Sequence, residues 1–213
     1  MAQNLLYIRD TLVRRYLSDT GKVTWQDTEL DAYINDGGRY LLSEMLKVNS
    51  DYMLIRATAS TVASQADYGV PSNMYSNKFR GLWVYSSSSG IRQEVKHRSS
   101  HFIMAMQHLS SIPQYYTTLR NIYVLGPVPD AVYTLELWYT GLPAPLTDDA
   151  DECTFNDEEI DVIALWSAIR AKTARELDLG RLPELLVKAV DLVKSNIIQD
   201  DKLSVKFPPL DQP

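Results

Sequence analysis

The sequence is poor in cysteine and in long apolar runs. It has one cysteine, Cys153, among 213 residues, which excludes a disulfide within the chain and indicates a reducing compartment. No uninterrupted apolar stretch approaches the ~18 residues that a membrane-spanning helix needs, and no apolar signal-peptide core follows a basic start. We therefore expect a soluble protein that is not exported and has no membrane partner.

Basic residues are outnumbered as well. The chain has 21 Lys and Arg against 27 Asp and Glu, a net charge of −6, which argues against a general phosphate-binding surface. Arg92, Lys96 and Arg98 are the local exception, because they cluster around one predicted strand. A solvated strand face is the commoner explanation of such a cluster, and contact with DNA is the alternative.

Catalytic and metal-binding motifs are missing. The sequence has no glycine-rich phosphate loop, no Cys-x-x-Cys and no plausible Ser/His/Asp motif, so a hydrolase is the least favoured function. His97 and His101 have a spacing that suits two zinc ligands on a helix, with His108 as a third. However, His97 is predicted to end a strand, so surface or interface histidines are favoured.

An acidic cluster precedes one predicted helix: Asp148, Asp149, Asp151, Glu152, Asp157, Glu158 and Glu159. The segment lacks the glycine and the final glutamate of a calcium-binding EF-hand loop, whereas carboxylates at a helix N-terminus need no ion. We predict no metal, no cofactor and no catalytic residue.

Helical periodicity marks both ends of the chain. Leu5, Ile8, Leu12 and Tyr16 form an apolar stripe, with Arg9, Asp10, Arg14 and Arg15 elsewhere on the turn. A second helix, N-capped by Thr24 or Asp27, contains Gly37-Gly38, which predicts either close approach of another backbone or a kink. A capping box of Asn156 and Glu159 starts a helix over 157–179 that stops at Gly180, and Pro183 starts the last helix.

Strand patterns occupy the middle of the chain. Leu54–Ala63 has strand composition, 65–77 resembles a loop, and Gly81–Tyr85 with Ile91–Val95 predicts a hairpin around the serine-rich tip 86–90. Ser99–Leu109 predicts a short helix laid on the sheet. Ile122–Leu125 and Val132–Tyr139 predict two further strands joined as a hairpin or meander.

Together these patterns predict an α+β fold. We expect an antiparallel bundle of four main helices, formed by residues 1–50 and 148–201, with an inserted β-rich domain over 51–147. The remaining residues, 202–213, are predicted to form an extended C-terminal tail that is disordered in the free monomer. Its apolar residues alternate with polar ones before the prolines begin, a pattern that also suits strand addition or docking onto a partner.

Several short motifs, taken in order, resemble the head-to-tail adaptor (connector) proteins of tailed bacteriophages, especially short-tailed ones. They are Glu29–Arg39, Tyr68-Gly-Val-Pro71, Pro113-Gln-Tyr-Tyr116, Gly126-Pro-Val-Pro129 and Leu142-Pro-Ala-Pro-Leu146. Each motif alone is weak, and the specificity lies in their order along most of the chain.

The resemblance implies a structural protein of the virion neck, assembled in the host cytoplasm, which forms a ring between the portal protein and a tail or nozzle protein. By the same resemblance the ring is expected to be a dodecamer. DNA would pass through its channel, with Arg92, Lys96 and Arg98 as candidate lining. It also implies a portal contact through tail residues, namely Leu203, Val205, Phe207, Pro208, Pro209 and Leu210. The alternative hypothesis is a small nucleic-acid-binding regulatory protein.

Overall fold

The computed structural model describes residues 3–86, 90 and 92–204. The chain divides into two compact units, one made of Met1–Tyr52 with Pro143–Pro213 and the other of Met53–Leu142. We call them the helical unit and the β unit. The described residues contain helices and two four-stranded sheets, which confirms the α+β class. Within them, no helix is long and apolar enough to cross a bilayer.

The helical unit begins with a composite helix. Its parts are α1 (Leu5–Tyr7), a π-helical segment (Ile8–Val13) and α2 (Arg14–Leu17). The longer helices are α3 (Asp27–Met45), α5 (Asp157–Ala174) and α6 (Leu182–Ser204). Their buried apolar residues include Leu5, Ile8, Leu30, Ile34, Leu41, Ile160, Ile163 and Val193.

The π-helical segment changes which side chains of the first helix face the core. A regular 3.6-residue period places Arg9 and Arg14 away from the apolar stripe, but both are buried in the structure. In the π segment the backbone N–H of Arg14 bonds to the carbonyl of Arg9, five residues back, so the face rotates relative to a regular helix. The sequence pattern, which places both arginines off the apolar stripe, therefore does not predict their burial.

Helix ends follow the local signals only in part. The capping box is confirmed, since the Glu159 N–H bonds to Asn156 Oδ1 at 3.0 Å and the Asn156 N–H bonds to Glu159 Oε2 at 2.9 Å. α5 nevertheless ends at Ala174 rather than 179, because Glu176 takes a positive φ of 53°. α3 is capped by Gln26 instead of Thr24 or Asp27, with no side-chain cap bond.

The β unit contains two sheets. The first has the strand order β1-β8-β3-β4 and the second the order β2-β7-β6-β5. The strands are β1 (Leu54–Ser60), β2 (Asp67–Gly69), β3 (Met74–Tyr85), β4 (Arg92–Glu94), β5 (Lys96–His97), β6 (Tyr115–Leu119), β7 (Ile122–Gly126) and β8 (Thr134–Gly141). α4 (Ser100–Met106) packs on β6 and β7, as the sequence predicts, with Ser99 as N-cap.

The predicted hairpin between Ile122–Leu125 and Val132–Tyr139 was wrong. Both runs contain strands, but β7 pairs with β6 and β2, whereas β8 pairs with β1 and β3 in the other sheet. Pro127 and Pro129 lie between the two strands and have no N–H to continue a ladder. The chain therefore leaves the second sheet after β7 and enters the first at β8.

Other predictions for the β unit had mixed outcomes. β3 and β4 pair antiparallel with Trp83 opposite Glu94, so the hairpin over 81–95 is confirmed; residues 87–89 of its tip lie outside the described residues. The stretch 65–77 is not all loop, because it contains β2 and the start of β3. Residues of both sheets share one core: Met74, Phe79, Leu82, Val84, Val95, Tyr116, Tyr123, Leu125, Tyr133, Leu135, Leu137 and Tyr139.

α6 runs further than the sequence predicts. It continues through Ser204, so residues 202–204 are helical rather than part of an extended tail. The rest of the predicted tail, including Val205, Phe207, Pro208, Pro209 and Leu210, lies outside the described residues.

Candidate functional site

The outer face of the first sheet holds a row of aromatic and charged side chains. Arg56 of β1 lies opposite Trp138 of β8, and Trp83 of β3 lies opposite Glu136 of β8. Because opposite residues in an antiparallel pair point to the same side, the alternation that sends Leu135, Leu137 and Tyr139 into the core sends Glu136 and Trp138 outward. With Arg92 of β4, these residues form what we call the Trp–Arg face: Arg56, Trp83, Arg92, Glu136 and Trp138.

Glu136 is the centre of the Trp–Arg face. Its carboxylate lies 2.5 Å from Arg56 Nε and 2.9 Å from Arg92 Nη2, and it accepts a 3.1 Å hydrogen bond from Trp138 Nε1. Burial raises the pKa of Glu136. The hydrogen bonds from Arg92 and Trp138 and the charges of both arginines lower it by more, so the net pKa is below the usual value. The residue is therefore held as an anion although it is buried.

The arginines are also fixed by the tryptophans. The Arg92 guanidinium lies 4.9 Å from the centre of the Trp83 ring, and that of Arg56 lies 5.8 Å from the centre of the Trp138 ring. Each arginine thus contacts both a carboxylate and an aromatic face. This site is not among the residues predicted from the sequence. The alternation in β8 is a signal for it, because Glu136 and Trp138 lie on the face opposite the apolar residues.

The structure divides the three candidate channel-lining residues between the two sheets. Arg92 belongs to the first sheet and is engaged by Glu136 and Trp83. Lys96 is an exposed residue of β5 in the second sheet, and Arg98 follows β5 with its guanidinium 5.7 Å from the Tyr115 ring centre. The three do not form one uniform basic strand face.

Several carboxylates of the acidic cluster at the start of α5 are engaged by protein groups. Asp149 pairs with Arg9 at 2.9 Å, and Asp157 accepts a 2.8 Å hydrogen bond from Gln3 Nε2. Asp151 accepts bonds from the backbone N–H groups of Thr147 and Asp148, which, together with the Thr147 hydroxyl, lower its pKa. These contacts support the structural explanation over calcium binding.

Two buried arginines organise the start of the helical unit. Arg14 bonds to Asp19 at 2.7 Å, to Asp10 at 3.2 Å, to Asp27 and to the carbonyl of Trp25. Arg9 bonds to Asp31 at 3.1 Å and to Asp149 at 2.9 Å. Burial lowers the pKa of Arg9, but its hydrogen bonds to Asp149 and Asp31 outweigh this, so the net pKa is raised. The network ties the first helix to α3 and to the segment before α5.

The three histidines and the single cysteine differ in their exposure. His97, His101 and His108 are exposed, and the His97 ring contacts the Tyr116 ring edge to face, at 5.3 Å between centres. Among the described residues, no three His, Cys, Asp or Glu side chains are grouped so that they could hold a metal ion. Cys153 is a free, buried thiol whose pKa is raised by burial.

Comparison with known protein families gives a match over most of the chain. The family described as SU10 adaptor protein matches residues 4–184, which include all the strands and every helix up to the first turn of α6. The chain belongs to the SU10 adaptor protein family. The match confirms the resemblance to phage head-to-tail adaptors that the ordered motifs predicted, and with it a structural role in the neck of a phage particle. No protein with a curated description matches the chain.

In this adaptor, the motifs that carried the resemblance take up defined places. Asn35, in the motif Glu29–Arg39, bonds through its amide to both backbone groups of Leu146, at 2.8 Å each. It thereby joins two of the sequence motifs within the helical unit. The Tyr68 hydroxyl, in the motif Tyr68–Pro71, donates to the carbonyl of Gln65 at 2.8 Å and accepts from the N–H of Val62 at 3.0 Å, which closes the loop before β2.

Proposed function

We propose that this adaptor forms a ring, a dodecamer by family resemblance, which joins the portal to a tail or nozzle protein of a short-tailed phage and lets DNA pass through its channel. The observation that carries the proposal is the family match over residues 4–184. In this proposal the helices form an antiparallel bundle with the β unit inserted, the protein has no catalytic step, and it assembles in the host cytoplasm.

A ring requires heterologous interfaces, in which one patch of each subunit meets a different patch of the next. The chain has apolar surface to supply them, since α6 exposes Leu185, Val187 and Leu192 to 39%, 59% and 52%. We propose that the end of α6 and the residues after it, namely Leu203, Val205, Phe207, Pro208, Pro209 and Leu210, contact the portal. Lys96 and Arg98 remain proposed contacts with the passing DNA, whereas Arg92, the third candidate, is engaged by Glu136 and Trp83.

Native mass spectrometry of the protein, alone and mixed with purified portal, tests the proposal. We expect a closed ring of defined stoichiometry in at least one of the two samples. A protein that stays monomeric with portal present and instead binds a specific DNA sequence would contradict the ring and support the regulatory alternative.

A further inference from the structure

The Trp–Arg face has the composition of a protein interface rather than of a solvated strand surface. Arg56 and Arg92 expose 60% and 53% of their side chains, and Trp83 and Trp138 are half-buried. Tryptophan and arginine are the residue types most enriched at the positions that dominate binding energy. Both guanidiniums keep this exposure although they pair with the buried Glu136, so their outer surfaces are available to a partner.

The face is also pre-organised. Each arginine is fixed between a carboxylate and an indole ring, and the Trp138 ring is fixed by its bond to Glu136. Side chains that are already ordered lose less conformational entropy when a partner covers them. Glu136 contacts Nε of Arg56 and Nη2 of Arg92, and each guanidinium carries five N–H donors, so a partner's carboxylate can bond to the exposed ones.

Charge on the face disfavours nucleic acid as the partner. The two arginines are matched by Glu136 and by Glu94, which lies opposite Trp83. A face with as many carboxylates as guanidiniums gains little from the release of counterions that dominates phosphate binding. The partner is therefore expected to be a protein that offers its own carboxylates.

The distribution of charge along the chain favours a second copy of the same chain as this partner. The β unit has seven basic and four acidic residues, a net charge of +3, whereas the rest of the chain has fourteen basic and twenty-three acidic residues, a net charge of −9. The negatively charged helical units of two copies repel each other, whereas the β unit of one copy attracts the helical unit of another. This asymmetry favours the heterologous polarity that closes rings.

The helical unit has a group of exposed carboxylates in residues 148–158, which we call the acidic segment. Its exposed members are Asp148, Asp149, Glu152, Asp157 and Glu158. Asp157 and Glu158 are held by Gln3 and Asn196 at 2.8 and 2.6 Å, so these carboxylates are pre-organised as well. We propose that the Trp–Arg face of one copy binds the acidic segment of a second copy. This inference rests on the proposed ring and assigns one of its interfaces.

Site-specific crosslinking of the full chain tests the contact. Thr58 lies opposite Glu136, is exposed and sits on the same face, so a photoreactive benzoylphenylalanine placed there reports what covers the face. The ring, assembled with portal if portal is required, is made from a mixture of unlabelled and ¹⁵N-labelled copies, so that crosslinks between copies are recognised by mass. We expect the crosslinked peptide to contain residues of the acidic segment of another copy.

A matched pair of variants tests the energetics. Arg92→Gln removes one guanidinium from the Trp–Arg face, where Arg92 contacts Trp83. Arg98→Gln is the control, because it removes a guanidinium that lies in the same unit but contacts Tyr115. We expect Arg92→Gln to weaken self-association at least about thirtyfold and Arg98→Gln to leave it within about threefold. Circular dichroism verifies that both variants are folded. If Arg92→Gln does not fold, Arg92→Lys replaces it, because lysine keeps the charge but lacks the planar guanidinium.

The outcomes separate this contact from the ring itself. Crosslinks to the acidic segment together with selective weakening by Arg92→Gln support it. If the ring forms but the crosslinks lie elsewhere, or the two variants assemble equally, the contact is overturned and the ring stands. If the wild-type chain never self-associates, even on portal, the ring is overturned and this contact with it.

Discussion

Gly37 of α3 lies directly against the backbone of Ile163 on α5. A Cβ atom at Gly37 would be 3.1 Å from the Ile163 carbonyl oxygen and 3.0 Å from its Cγ2. The neighbouring Ser167 hydroxyl lies at the same contact, within hydrogen-bond distance of two carbonyl acceptors, that of Tyr33 on α3 and that of Ile163 on α5. The glycine pair thus marks a close helix crossing, which is one of the two explanations that the sequence left open.

The two glycines are expected to respond differently to alanine. At Gly37 the new methyl group meets backbone, which cannot move aside, so the strain outweighs the ~1 kcal/mol gain in helix propensity and we expect a net loss of about 1–2 kcal/mol. At Gly38 it meets the Phe155 ring edge at 3.3 Å, a side chain that can shift, so Gly38→Ala is expected to be near neutral. Urea unfolding measures both; equal stability of the two variants would contradict the backbone contact.

Removing Arg14 is expected to destabilise the helical unit strongly. Arg14→Met leaves Asp19 buried without its guanidinium partner, which costs about 3–5 kcal/mol for a broken buried pair. Arg15 is the matched control, since it is exposed and contacts the Tyr16 ring, and Arg15→Met should cost less than about 1 kcal/mol. Thermal unfolding of the two variants compares them, and a small loss for Arg14→Met would show that the network is not essential.

Acid should destabilise the fold through Asp19. Burial raises the pKa of Asp19. The backbone N–H groups of Thr24, Val23 and Trp25 and the charge of Arg14 lower it by more, so the folded-state pKa lies below the unfolded value. The stabilisation is present above the unfolded pKa of ~4 and is lost as the pH falls through the folded pKa. We expect Asp19→Asn to be less stable than wild type at pH 7 and to lose less stability between about pH 5 and pH 2. Urea unfolding across this range measures it, and parallel curves would contradict the assignment.

Deleting residues 205–213 is expected to leave the fold intact and to abolish attachment to portal. The cut follows Ser204, so α6 (Leu182–Ser204) is kept whole. Circular dichroism should be unchanged while a pull-down with portal-containing heads fails. Full binding by the truncated chain would mean that the tail is not the anchor.

Duplex DNA is expected to bind weakly, because a sliding conduit cannot hold phosphates tightly. With a net charge of −6, we expect a Kd no tighter than the ~10⁻⁴ to 10⁻⁶ M of non-specific contact at physiological salt. Fluorescence anisotropy measures it, with Lys96→Gln and Arg98→Gln expected to weaken the binding further. Sequence-specific nanomolar binding would favour the regulatory alternative instead.

Features that depend only on neighbours in the chain could be predicted from the amino-acid sequence. The capping box of Asn156 and Glu159 needs only residues three apart, and the β3–β4 hairpin needs only a short turn. The ordered motifs likewise predicted the family correctly, because order along the chain is a property of sequence.

Features that depend on residues far apart in the chain could not be predicted from sequence patterns. β7 and β8 have clear strand patterns, but the choice of sheet depends on β6 and β1, which sequence periodicity does not encode. Arg9 and Arg14 look solvent-facing at a helical period of 3.6, and only the π-helical turn and the aspartates brought from α3 and from Asp149 make their burial favourable. The Trp–Arg face is of the same kind, because a carboxylate in β8 meets its two arginines only after β1 and β4 have joined the same sheet.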